Sequence, residues 1–114
     1  MLKINFNKSD GLVPVIIQEE STSEVLMLGY MDSAALKKTR REGFVYFLSR
    51  SRKKLWMKGE ESGNKLKVKK ILRDCDRDAL LIQVELIGNA VCHQGRRSCF
   101  YDLITYKSDR LHRL

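Results

Sequence analysis

"RDCDRDALL", Arg73 to Leu81, places aspartates at positions 74, 76 and 78 with a cysteine, Cys75, among them. Whether this segment is extended or turned decides how the second half of the chain is organised. In an extended segment side chains alternate between two faces. Asp74, Asp76 and Asp78 would then point one way, and Cys75 and Arg77 the other. Three carboxylates on one face repel one another unless a cation holds them. Oxygen donors suit Mg²⁺, Ca²⁺ or Mn²⁺, whereas a thiolate suits a softer ion. The extended form, serving two different metals from two faces, is the expectation; the alternative is a solvated acidic turn flanked by Arg73 and Arg77. An EF-hand loop fits poorly. Glu85 falls at its twelfth position, but Ala79 stands where the sixth position needs glycine.

The flanks of this segment read as strands. "KLKVKKILRD" alternates Leu66, Val68 and Lys70 against Lys65, Lys67 and Lys69, which predicts a half-buried strand with a cationic outer face. "ALLIQVELIG" predicts a further strand. Upstream, "GLVPVIIQEE" is an apolar, β-branched run with Pro14, the single proline, near its start or on an edge. "STSE" then reads as a turn and "VLMLGY" as the second strand of a hairpin. "MDSAALKKTRREG" predicts a helix over about residues 32–42, with Asp32 or Ser33 as N-cap and Gly43 at C′. "FVYFLSR" is a strand and "SRKKLWMKGEESGN" a loop or hairpin. "NAVCHQGRRSCFYDLITY" begins as a loop and ends as a strand, and "KSDRLHRL" is a frayed or weakly helical tail. The fold expected is α+β: a strand-dominated mixed sheet or partial barrel with one clear helix.

A chain of 114 residues accommodates one domain, here 1–114, and is too short for two. Hydrophobic residues at 43% and charged residues at 32% place it among soluble globular proteins. No apolar run approaches the roughly 20 residues that span a bilayer. "MLKINFNKSD" lacks the apolar core of a signal peptide, so a cytoplasmic protein is expected, with no membrane partner. The net charge of +8 attracts polyanions or phosphorylated small molecules without choosing between them. A zinc-stabilised, basic nucleic-acid-binding module is therefore the alternative to an enzyme.

The three cysteines do not suggest a disulfide framework, because the count is odd and the expected compartment reducing. "CHQGRRSC" places Cys92, His93 and Cys99 within eight residues. Thiolates and imidazole both bind Zn²⁺. If Cys75 joins Cys92 and Cys99, three thiolates with one open position match a catalytic zinc, at which water becomes acidic near neutral pH. His93 is then either a fourth ligand or the group that moves protons. Arg96 and Arg97 are either surface charges or a bidentate grip on phosphate. In "SRSRKKLWMKGEESGN", Arg50, Arg52 and Lys58 supply positive charge. Ser62, Gly63 and Asn64 could cradle a phosphate, and Trp56 could stack on a base or sit in the core.

Taken together, "LVPVIIQEE", "EVLMLGYMD", "ALKKT", "SRSRKKLWMKGEESGN", "DCDRDALL" and "CHQGRRSCF" resemble the phosphoribosyl-AMP cyclohydrolase family of histidine biosynthesis, in that order from about Leu12 to Tyr101. The resemblance implies hydrolytic opening of the purine ring of 1-(5-phosphoribosyl)-AMP at the N1–C6 bond. It implies Mg²⁺ on Asp74, Asp76 and Asp78. It also implies Zn²⁺ on Cys75, Cys92 and Cys99, shared between the subunits of an intertwined homodimer. The chain departs from the family pattern at Leu66, where a glutamine is usual, at Gln94, where a threonine is common, and in "GNAVCH". None of these touches a metal ligand. The substrate's two phosphorylated ends suit the basic loop, so a small phosphorylated nucleotide, not nucleic acid, is the partner expected.

Overall fold

The fold was described from a computed structural model, which describes residues 3–7 and 10–106. The elements run β1 (Val13–Glu19), β2 (Val25–Met31), α1 (Ser33–Glu42), β3 (Tyr46–Ser49), β4 (Lys54–Met57), β5 (Lys65–Arg73) and β6 (Leu80–Ile87). Four strands form one mixed sheet in the order β2-β1-β6-β5, and β3 and β4 form a separate hairpin. The α+β expectation holds, with one helix among the described residues; the sheet is open, so the partial-barrel expectation is not met by a closed barrel.

One face of the sheet builds the core. Val13, Val15 and Ile17 of β1, Leu26 and Met31 of β2, Leu66 of β5 and Leu80, Ile82 and Val84 of β6 are all buried. They meet Ala35 and Leu36 of α1, and Val45 and Phe47 beside and on β3. Gly29 of β2 is the point of closest approach: a Cβ there would lie 2.6 Å from the Phe47 ring. Pro14 is paired with β2, but the parallel register with β6 begins only at Val15. Its missing N–H therefore falls outside that ladder.

The helix forms where its caps predict. The Asp32 carboxylate accepts from the Ala35 N–H at 2.8 Å. Gly43 takes the left-handed conformation, φ 82°, and its N–H returns to the Thr39 carbonyl. Thr39 is fully buried, and its hydroxyl accepts from the Tyr46 N–H at 2.9 Å, tying α1 to β3.

Three expectations are corrected. The pairing of β5 with β6 shifts between Val68 and Lys70, so Lys69 is an extra residue that resets the side-chain phase. Lys70, expected inward, is exposed, and Ile71 packs on the core instead. Second, residues 74–79 are a turn, not a strand. Third, the run from Phe100 to Tyr106 is exposed and irregular where a strand was expected. The expected tail at 107–114 lies outside the described residues.

Among the described residues, nothing covers an apolar row on the opposite face of the sheet. Leu28 is opposite Ile16, Ile16 beside Leu81, and Leu81 opposite Leu72, so one apolar row crosses all four strands. Ile16 is 39% and Leu28 and Leu72 each 42% exposed.

Candidate functional site

The acidic turn is built by its own first aspartate. The register of β5 and β6 ends at Arg73 and Leu80, leaving residues 74–79 to reverse the chain. The Asp74 carboxylate accepts from the N–H groups of Asp78 at 3.0 Å and Ala79 at 3.3 Å. Arg77 sits at φ 61° and its N–H reaches the Asp74 carbonyl at 3.1 Å. Aspartate favours such turns because its short carboxylate bonds nearby backbone N–H groups. Alternation therefore does not bring the acids together; the turn does. Ligand oxygens of Asp74, Asp76 and Asp78 all lie within 4.8 Å of one another. Three oxygen donors at this spacing fit a hard divalent cation.

The thiols are arranged differently. Cys92 is buried and Cys99 exposed, and the two side chains are neighbours. Desolvation, with the neighbouring Cys92, holds the Cys99 thiol above its ordinary pKa, while Lys58 opposes the shift. Cys75 is exposed on the acidic turn. Among the described residues it does not cluster with Cys92 and Cys99 within one chain, nor does His93 complete a group of three with them. Two adjacent thiols fit part of a soft-metal site and need further ligands from elsewhere.

The loop between Cys92 and Cys99 is tightly fastened. The Cys92 N–H donates to the Arg96 carbonyl at 3.0 Å, and the Cys99 N–H to the Leu26 carbonyl at 2.8 Å. The Ser98 hydroxyl donates to the Val25 carbonyl at 2.8 Å. Arg97 donates through Nε to Glu24 at 2.8 Å and through Nη2 to Glu19. The hydrogen bond from Arg97, with a second from the Thr22 hydroxyl, holds the Glu19 carboxyl below the usual carboxylate range. Arg96 instead lies 3.9 Å from the centre of the Tyr101 ring.

His93 leaves this loop for a cavity of about 900 Å³. The β3–β4 hairpin and the loop after it supply the remaining walls, with Ser49, Arg52, Lys54, Trp56, Glu60 and Ser62 among the lining residues. His93, distant in the sequence, thus converges with Arg52, Trp56 and Ser62. Trp56 packs with its ring centre 5.5 Å from that of Phe47 and also lines the cavity. The other expected contact residues lie apart from the lining. Arg50 stacks on Tyr30, Lys58 bonds the Val91 carbonyl, and Asn64 Oδ1 accepts from the Asn89 N–H. Gly63, at φ 83°, turns the loop. Glu60 and Glu61 were missed as candidates; in a polar, glycine-punctuated segment they read as loop surface.

A cavity of this size, with an imidazole, an indole, cations and carboxylates on its walls, defines a small-molecule enzyme site. The family described as phosphoribosyl-AMP cyclohydrolase matches residues 27–101. A phosphoribosyl-AMP cyclohydrolase of Solibacter usitatus is 54% identical over 100 residues, covering 88% of this chain and 79% of the relative. Its counterpart in Geobacter sulfurreducens is 54% identical over 101 residues, covering 89% and 81%. The chain belongs to the phosphoribosyl-AMP cyclohydrolase family and is an enzyme.

Proposed function

We propose that this chain opens the purine ring of 1-(5-phosphoribosyl)-AMP by hydrolysis at N1–C6, as a step of histidine biosynthesis in the cytoplasm. The observation that carries the reading is the convergence of His93, the residue after Cys92, with Trp56, Arg52 and Lys54 on one cavity. The names of the similar relatives support it.

The chain's own groups have distinct tasks. Trp56 offers a flat apolar surface for the purine. Arg52 and Lys54, with the Ser62 hydroxyl, balance phosphate charge. Water oxygen becomes bonded to C6, the N1–C6 bond breaks, and a proton is delivered to N1. His93 is an imidazole on the cavity wall, the kind of group that takes a proton from water and returns one to a leaving nitrogen. N1 substitution leaves the ring electron-poor, so C6 is a reasonable point of attack. Asp74, Asp76 and Asp78 would hold Mg²⁺, and Cys92 and Cys99 would hold Zn²⁺ with Cys75 of a second copy. Zinc, when bound, supplies Lewis acidity and lowers the pKa of water.

A homodimer follows from the same reasoning. The Cys92–Cys99 pair lacks a third thiol in its own chain, while Cys75 is exposed. The Leu28–Ile16–Leu81–Leu72 row offers an apolar face for a second copy. Beyond the cysteine loop, Ile104 at 90% exposure adds apolar surface able to cross to a partner. Among the described residues, no helix is long and apolar enough to cross a membrane.

The test is turnover of 1-(5-phosphoribosyl)-AMP, followed by absorbance as the purine chromophore is lost. Activity that disappears with chelator and returns with Zn²⁺ and Mg²⁺ is expected. A folded, zinc- and magnesium-loaded protein that leaves this substrate intact overturns the reading.

A further inference from the structure

We propose that Arg97 is a positioning residue: clasped by Glu19 and Glu24, it lets the β1–β2 hairpin set the spacing of the Cys92 and Cys99 sulfurs. This rests on the reading of those two thiols as metal ligands.

Sequence reasoning offered Arg97 as a phosphate ligand, but its guanidinium is engaged elsewhere. Its Nε meets Glu24 at 2.8 Å and its Nη2 meets Glu19. Glu19 is 8% exposed at the end of β1, and the Thr22 hydroxyl donates to it at 2.8 Å. The Glu19 carboxylate is thus held within the hairpin independently of Arg97. A guanidinium can bridge two separate carboxylates because its donors form a rigid planar fork; an ammonium on a flexible stem cannot fix the same geometry.

The backbone carries this constraint to both thiols. Arg97, Ser98 and Cys99 are three successive residues, and all three bond the hairpin. Ser98 Oγ donates to the Val25 carbonyl and the Cys99 N–H to the Leu26 carbonyl, each at 2.8 Å. The Cys92 arm hangs on the same segment. The Val91 N–H donates to the carbonyls of Arg96 and Arg97 at 3.2 Å, and the Cys92 N–H to Arg96 at 3.0 Å. Rotation of residues 96–97 would move Cys92 while Cys99 stays on β2. Metal affinity depends on groups that hold the ligands in place as well as on the ligands.

Cobalt(II) titration of the metal-free full chain tests this, reading thiolate-to-cobalt charge-transfer bands and d–d bands. Arg97→Lys is expected to weaken cobalt binding at least tenfold and to shift the bands at saturation. Glu24→Gln, which removes one exposed contact and retains Glu19, should cause a smaller change in the same direction. Arg41→Ala, at an unrelated surface ion pair, should leave both unchanged. If wild-type protein shows no thiolate band, the zinc reading fails and this inference with it. If wild type shows the band and Arg97→Lys keeps its affinity and spectrum, the inference alone is overturned, even where the variant melts earlier. Should Arg97→Lys fail to fold, wild-type cobalt affinity and bands in Glu24→Gln overturn it equally.

Discussion

The Lys58 ammonium donates a hydrogen bond to the Val91 carbonyl at 2.7 Å. This contact joins the end of the β3–β4 hairpin, which walls the cavity, to the start of the cysteine loop, from which His93 projects. Lys58→Met keeps the length of the stem and removes the donor. A charge-assisted hydrogen bond contributes about 1.5–3 kcal/mol, so chemical denaturation should show a loss of up to that size. Turnover should fall as well, because the two halves of the cavity are no longer tied.

Two aspartates of the acidic turn test two tasks, bracing the backbone and the proposed holding of a cation. Asp74 bonds two N–H groups of the turn. Asp74→Asn retains a carbonyl oxygen for both and should fold normally, whereas Asp74→Ala should lose about 1 kcal/mol. Asp76→Asn should have opposite effects with and without magnesium. In chelator it relieves repulsion among three acids and should raise the melting temperature slightly. At saturating Mg²⁺ it should melt below wild type, because cation binding to the folded state stabilises less. Melting curves in both conditions check this; parallel shifts would count against a cation site.

Glu19 gives the fold an acid-sensitive element. Its carboxyl is held below the ordinary range first by the hydrogen bond from Arg97 and then by that from Thr22. A folded-state pKa below the unfolded value means full stabilisation above the ordinary carboxylate range, lost as pH falls through the lowered folded value. The stability difference between wild type and Glu19→Gln should therefore be largest near neutral pH and shrink on acidification. Urea denaturation at several pH values would show it; a gap that widens in acid would contradict the assignment.

Ile16 lies in the middle of the apolar row and is 39% exposed in the single chain. Ile16→Glu should produce a folded monomer with little activity, since the sheet face would no longer accept a second copy. Sedimentation velocity checks this, and a dimer of unchanged affinity would rule out that face.

Much of the fold is legible in the sequence wherever one local signal agrees with burial. The caps at Asp32 and Gly43, the alternation of Val13, Val15 and Ile17, and the apolar run of β6 all predict the observed elements. The misses have physical causes. Alternation in Lys65–Lys70 gave no warning of the extra residue at Lys69, because bulges are set by strand pairing. Asp74–Asp78 satisfied a two-residue period, yet aspartates that bond their own backbone make turns, and the register of β5 with β6 required one. Arg52, Trp56 and His93 were each candidates from local chemistry, but that they line one cavity is visible only in the fold. The engagement of Arg97 by Glu19 and Glu24 was not foreseen, since nothing local marks carboxylates so distant in sequence as its partners.

The parallel pairing of β1 with β6 has a consequence for synthesis. β1 finds β2 at once across a short hairpin, but its other neighbour begins only at Leu80. Until that segment leaves the ribosome, one side of β1 presents unsatisfied backbone groups beside an apolar surface. Distant pairings of this kind slow folding and lengthen exposure to aggregation. Nascent chains stalled before Leu80 should thus be the species that chaperones capture.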